Sequence, residues 1–157
     1  MKVVLDTSAI IYLNDFRSFD EIFTVSDVVN EVKDKINILK LSGINLKVVE
    51  PSEASVNEVK AIAKETGDLE KLSKTDIKIL ALAKENSLTI LSDDYNIQNI
   101  AEKCGIRYIS LFSKRITKLI LWGSYCSNCK MFFENKRVCP RCGNSLIRKT
   151  KKGITIS

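Results

Sequence analysis

Residues 2–13 read KVVLDTSAIIYL. A short apolar run from Lys2 to Leu5 stops at Asp6-Thr7-Ser8, and Ala9 to Leu13 resumes as a helix-like stretch. The same alternation continues downstream. Ile22 to Val25 reads as a brief strand, and Ser26 is placed to cap a long helix with a stripe of Val28, Val29, Val32, Ile36 and Leu39. Ile44 to Val49 alternates like a strand, Ser52 to Lys64 is helical up to Gly67, and Ser73 to Lys84 is a strongly apolar helix. Leu88 to Leu91, Tyr95 to Lys103 and Ile106 to Ser110 complete the series as strand, helix ended at Gly105, and strand. Strands alternating with helices imply an α/β fold, with a parallel sheet between helices.

The 157 residues suffice for one domain and a small appendage. No apolar run exceeds five residues, which excludes a membrane span. The N-terminus carries no signal-peptide stretch before Asp6, so the expected location is cytoplasmic. The chain has no histidine, which removes Ser-His and Cys-His nucleophiles, histidine general bases and His-ligated metals.

Charge divides the chain unevenly. Residues 1–113 hold 14 Lys and Arg against 18 Asp and Glu, a net of −4. Residues 114–157 hold 11 Lys and Arg against Glu134 alone, a net of +10. A basic appendage on an acidic lobe suits a polyanion, with nucleic acid the commonest; a solvated basic tail is the bland alternative. Arg141, Arg148, Lys149, Lys151 and Lys152 are the candidate phosphate contacts.

Four of the five cysteines fall in that appendage as Cys126-x2-Cys129-x9-Cys139-x2-Cys142. Two paired turns present four thiolates, the ligand set of a structural Zn²⁺, and such a small segment needs metal to fold. Rubredoxin-like iron or an iron–sulfur cluster uses the same ligands and remains the alternative. Trp122, Tyr125, Phe132 and Phe133 either form the miniature core or stack on bases, and the lone Cys104 reads as an inert buried thiol. The expected boundaries are 1–113 for the α/β lobe, 114–121 for a connector, and 122–157 for a zinc ribbon with a basic tail.

In a parallel sheet, function gathers beyond the carboxyl ends of the strands. Asp6 ends one strand there, and Asp93 and Asp94 end another; Glu31 borders a helix stripe and Asp76 opens the apolar helix. Clustered carboxylates call for a hard cation, Mg²⁺ or Mn²⁺. Each acid also has a structural reading: Asp6 and the Asp93-Asp94 pair as helix caps, Asp76 as a capping-box partner of Ser73, and Glu31 as a solvated helix residue.

Four stretches together, VVLDTSAI (3–10), VVNEV (28–32), LSKTDIKILALA (72–83) and LSDDYNIQNIA (91–101), resemble the acidic blocks of PIN-domain nucleases. That resemblance implies a Rossmann-like fold that cuts single-stranded RNA with Mg²⁺ or Mn²⁺. Asp6, Glu31, Asp76 and Asp94 match the metal-binding acids, Asp93 an adjacent helper, and Ser92 a hydroxyl that orients a carboxylate. A PIN domain followed directly by a ribbon, with Asp-Asp-Tyr-x-x-Gln-Asn at residues 93–99, is similar to the Nin-one-binding family. Its members mature the 3′ end of small-subunit ribosomal RNA, so precursor rRNA within a pre-ribosomal particle is the implied partner. A non-catalytic RNA- or ribosome-binding protein and a toxin-type PIN ribonuclease are the alternatives; toxin nucleases of the family lack the ribbon. The resemblance gives Gln98 and Asn99 no role.

Overall fold

The computed structural model describes residues 1–112 and 116–156. Five parallel strands form the first sheet: β1 (Lys2–Leu5), β2 (Glu21–Thr24), β3 (Leu46–Val48), β4 (Thr89–Leu91) and β5 (Tyr108–Ile109). Their order is β3-β2-β1-β4-β5, so β1 is central and strands are added on one side of it up to β3 and on the other from β4. Val3, Val4, Leu5, Ile90 and Leu91 are fully buried, which is why these two strands read as unbroken apolar runs.

Among the described residues six α-helices accompany the sheet: α1 (Thr7–Tyr12), α2 (Ser26–Glu31), α3 (Lys35–Ser42), α4 (Glu53–Thr66), α5 (Lys74–Asn86) and α6 (Tyr95–Cys104). Left-handed Gly67 and Gly105 end α4 and α6 as expected. The helix expected from Ser26 through Leu39 is instead two helices. Asp34 caps a new start by accepting the Asn37 amide at 2.9 Å, and Ser26 is not a cap. The Ser26 amide and hydroxyl both donate to Glu50, at 2.8 and 2.6 Å. The expected stripe holds through Val32 and then fails, since Ile36 and Leu39 are largely exposed and Asn37 faces inward.

The appendage is a three-stranded antiparallel sheet, β6 (Lys118–Cys126), β7 (Met131–Phe133) and β8 (Ile147–Thr155), in the order β7-β6-β8. Two expectations are corrected here. Residues 118–121, placed in the connector, are the first half of β6; residues 114 and 115 lie outside the described residues. Residues 148–152 are not a tail but part of β8, which pairs with β6 from Tyr125↔Ile147 to Lys118↔Thr155. The backbone of β6 finds its partner about thirty residues downstream, where local pattern gives no hint of it.

The two sheets touch through side chains. Asn99 of α6 donates to the Ile120 carbonyl at 2.8 Å and accepts the Ile120 amide at 2.7 Å, much as a neighbouring strand would. Buried Asp68 accepts from Asn99 at 2.7 Å and from Arg148 of β8 at 2.5 Å. Trp122 lies directly over Gly67: a β-carbon there would stand 2.5 Å from the Trp122 carbonyl oxygen.

Gly67 and Gly105 both have positive φ, at 77° and 69°, but nothing lies within 4 Å of a β-carbon built on Gly105. Gly105→Ala should therefore cost only the left-handed strain, about 1–2 kcal/mol. Gly67→Ala should cost about 1–3 kcal/mol more, from overlap with Trp122. Chemical denaturation of the two variants compares them, and equal losses would deny the contact between the sheets.

Candidate active site and metal centre

Register explains why distant acids meet. Leu5 and Leu91 are direct partners across β1 and β4, so Asp6 and Ser92 leave the sheet side by side at its switch point. Glu31 at the end of α2 and Asp76 in the first turn of α5 reach the same opening. The result is a cleft of about 370 Å³ lined by Asp6, Thr7, Ser8, Glu31, Thr75, Asp76, Asp93 and Asp94, over a floor of Ile79 and Ile97. Among the described residues no lysine or arginine lines it.

Hydroxyls and amides hold the carboxylates. Asp6 accepts from the Ala9 amide at 2.7 Å and the Ser8 hydroxyl at 2.8 Å, capping α1. Glu31 accepts from the Thr7 hydroxyl on one oxygen and from Thr75 at 2.8 Å on the other. Asp76 forms the full capping box with Ser73: its carboxylate accepts the Ser73 amide at 2.8 Å, and its own amide donates to the Ser73 hydroxyl at 3.1 Å. Asp94 caps α6 through the Asn96 amide at 2.7 Å. The Ser92 hydroxyl accepts the Asp94 amide at 3.1 Å. The structural and site readings of Asp6, Asp76 and Asp94 therefore describe the same residues.

Asp93 differs. Its carboxylate accepts from the Ser110 hydroxyl at 2.7 Å and the amides of Leu111 and Phe112 at 2.9 and 3.2 Å, so it braces the chain after β5. Sequence reasoning missed Thr7 and Thr75; their signal was adjacency, each hydroxyl standing beside an acid.

Burial pushes the Asp6 carboxyl above its ordinary 3.8, against the pull of Ser92, Ala9 and Ser8, and Asp76 adds repulsion. Burial also raises Asp76, opposed by Ser73 and reinforced by repulsion from Asp94 and Glu31. Such a set fits a hard divalent cation: oxygen donors converge, desolvated and mutually repelling, with no basic side chain among the lining residues to neutralise them.

The four ribbon cysteines form the second cluster, with all four sulfurs within 4.8 Å of one another. Cys126 and Cys142 sulfurs are 3.5 Å apart, and those of Cys129 and Cys139 are 3.8 Å apart. Tetrahedral Zn²⁺ with Zn–S bonds of about 2.3 Å spaces its sulfurs about 3.8 Å apart. Both knuckles fold alike: the Lys130 amide donates to the Cys126 carbonyl at 2.8 Å, and the Gly143 amide to the Cys139 carbonyl at 2.9 Å. Lys130 adopts φ 58° where its counterpart Gly143 has 77°. The Asn144 amide leads in bringing the Cys142 thiol down to about 6, while the facing sulfurs, Cys142 first, push Cys129 up to about 12. Cys104, outside the cluster, is pushed up to about 11 by burial and is an inert thiol.

The basic candidates do not share one face. Lys149 sits over the Tyr125 ring at 4.1 Å, and Tyr125 packs on Phe132 at 4.9 Å. The Lys151 stem lies beside Gly123, close to Phe132, and its ammonium is 3.6 Å from Glu134. Arg148 turns the other way, to Asp68 and across Trp122 at 4.0 Å, so its charge is committed between the lobes. Arg141 is exposed and donates to the Met131 sulfur at 3.0 Å, and Lys152 is exposed.

The fold places a cleft of converging carboxylates at the switch point of its parallel sheet, and residues 3–85 match the family model for the PIN domain of ribonuclease. The chain is 40% identical over 154 residues to the endoribonuclease Nob1 of Archaeoglobus fulgidus, covering 94% of this chain and 91% of that one. It is 36% identical over 156 residues to the ribonuclease VapC1 of Thermoplasma acidophilum, covering 97% and 80% respectively. A shorter match, 34% over 107 residues, joins 61% of this chain to 22% of the 20S-pre-rRNA D-site endonuclease NOB1 of Saccharomyces cerevisiae. The chain belongs to the PIN-domain ribonucleases, in the Nob1 endoribonuclease group.

Because the Asp6 carboxyl is raised in the folded state, the folded chain holds a proton that the unfolded chain releases near 3.8. Without divalent metal, this group's contribution to stability falls as pH rises through the window above 3.8. Asp6→Asn keeps the cap and removes the charge, so at pH 7 and free of divalent cation it should melt no lower than the parent. Its advantage should shrink as pH approaches 4. Melting curves across that range test it, and a variant deficit unchanged by pH would contradict the direction.

Proposed function

We propose that this endoribonuclease cleaves precursor small-subunit ribosomal RNA at its 3′ end during ribosome maturation, in the cytoplasm, using Mn²⁺ or Mg²⁺ at the acid cleft and a structural Zn²⁺ in the ribbon. The observation that carries the metal-dependent chemistry is the convergence of Asp6, Glu31, Asp76 and Asp94 from four separate elements on one cleft without a basic partner. The RNA substrate is supported by relatives named Nob1 and by the one named for the 20S pre-rRNA D-site.

Asp6, Glu31, Asp76 and Asp94 would hold the divalent ion, which when bound activates a water and stabilises charge on the phosphate oxygens. The rest falls to the chain. Thr7 and Thr75 fix both oxygens of Glu31, and Ser8 and the Ala9 amide fix Asp6, so the acids are preorganised. With no histidine present, the carboxylates serve as ligands rather than as a proton relay, and cleavage would leave the 5′-phosphate and 3′-hydroxyl ends that the family resemblance implies. An acidic cleft repels the RNA backbone, and the basic ribbon offsets that repulsion. Lys149 and Lys151, beside the Tyr125–Phe132 pair, supply phosphate contacts, with the exposed Arg141 and Lys152 as further cations of the ribbon. Arg148 is not needed for that role. A toxin-type reading has two relatives named VapC behind it; one is matched over 97% of this chain, and so across most of the ribbon, and the other over 69%.

Incubation with Mn²⁺ and a small-subunit rRNA fragment carrying a 3′ extension should give a single cut with a 3′-hydroxyl end. Asp6→Asn and Asp76→Asn should each lower the rate by about a hundredfold or more, with melting temperature little changed. Full activity in both variants would remove the acids from the site, and a wild-type chain that binds but never cuts would make it an RNA-binding protein.

Purified protein should also carry one zinc per chain, and chelation should unfold the ribbon while the α/β lobe keeps its helical circular dichroism. An intact ribbon in metal-free protein, by NMR, would contradict the zinc assignment.

A further inference from the structure

Three polar residues of the nuclease lobe each carry a hydrogen bond to the chain beyond it, at Ile116, Ile120 or Arg148, besides those they make within the lobe. Asn99, only 4% exposed, grips both the amide and the carbonyl of Ile120. Its neighbour Gln98 accepts the Ile116 amide at 3.1 Å and donates to the Ser92 carbonyl at 3.1 Å, fully buried. Asp68, also fully buried, joins Asn99 to Arg148 of β8.

A loose tether between two sheets needs none of this. A buried carboxylate is costly unless a hydrogen-bonded charge meets it, and the cation meeting Asp68 comes from 80 residues away on the other sheet. An amide side chain that pairs with both backbone groups of one residue is satisfied in only one orientation. Trp122 against Gly67 adds a contact with no room for slip.

The placement of these residues gives the contact a use. Asp94 caps α6, and Gln98 and Asn99 lie about one turn further on, roughly 6–8 Å along the axis. Gln98 also holds the carbonyl of Ser92, whose hydroxyl accepts the Asp94 amide. One rigid helix therefore ends in a cleft acid and carries the ribbon on its next turn.

We propose that Asp68, Gln98 and Asn99 are positioning residues that lock the ribbon sheet to α6. RNA held on the outward face of the ribbon then meets the acid cleft in one register and is cut at one phosphate. The proposal rests on the RNA-docking role given to Lys149 and Lys151 above.

The test uses the full zinc-loaded chain, with Asn99→Leu and Asp68→Ala singly and together. Asp68→Asn serves as the conservative variant, since it keeps an acceptor for Asn99 and Arg148. Residual dipolar couplings read the lobes without reference to activity. The wild-type lobes should share one alignment tensor, and the double variant should give two, with each lobe's spectrum otherwise retained. On a long substrate that reaches the ribbon, the double variant should lose about tenfold in kcat with KM within about twofold. Its cuts should spread to neighbouring phosphates. A single-stranded oligonucleotide too short to reach the ribbon should be cut at the wild-type rate, and Asp68→Asn should restore most of the long-substrate rate. Independent tensors in the wild-type chain would overturn the lock, as would a double variant that cuts the same phosphate at the same rate. If Lys149→Gln with Lys151→Gln leaves RNA affinity unchanged while the lobes share one tensor, the docking role fails and the lock itself stands.

Discussion

Four carboxylates crowded at one end of a sheet repel one another, and much of this structure is arranged to tolerate that repulsion. Three of them, Asp6, Asp76 and Asp94, stand at the starts of α1, α5 and α6, where unpaired backbone amides present partial positive charge. The fourth, Glu31, has no such terminus and is held by two threonine hydroxyls instead. A helix cap and a metal ligand are therefore not competing roles here. The caps keep the acids converged; burial, with a smaller part from mutual repulsion, raises the Asp6 and Asp76 carboxyls, and a divalent cation would offset both.

The same repulsion sets the problem for RNA. A phosphodiester must approach a cleft bounded by acids, so a basic surface elsewhere on the chain is needed to bring it there. The ribbon's charge is divided between its two faces. Lys149 and Lys151 surround the Tyr125–Phe132 pair on one face, whereas Arg148 crosses Trp122 to Asp68 on the other.

Much of this was legible in the sequence because it is local. Alternating runs with glycine stops marked the sheet lobe, the two CxxC turns marked the metal cluster, and acids at strand ends marked the cleft. What stayed hidden depends on partners far along the chain. Ser26 is diverted from capping by Glu50, 24 residues on. Lys118 to Leu121 looked like a connector because β8 lies beyond both cysteine turns. Arg148 looked like a phosphate ligand because Asp68, 80 residues earlier, carries no pattern that announces a buried pair. Gln98 and Asn99, which the sequence left without a role, hold the chain entering β6.

The central claim is that Asp6, Glu31, Asp76 and Asp94 make one cation site and that Asp93 stands outside it. Calorimetric titration of Mn²⁺ into the zinc-loaded chain tests this without any RNA. The account predicts one strong site, weakened at least about tenfold by each of Asp6→Asn, Glu31→Gln, Asp76→Asn and Asp94→Asn, and little changed by Asp93→Asn. Mn²⁺ binding that survives all four substitutions, or that depends on Asp93 alone, would contradict it.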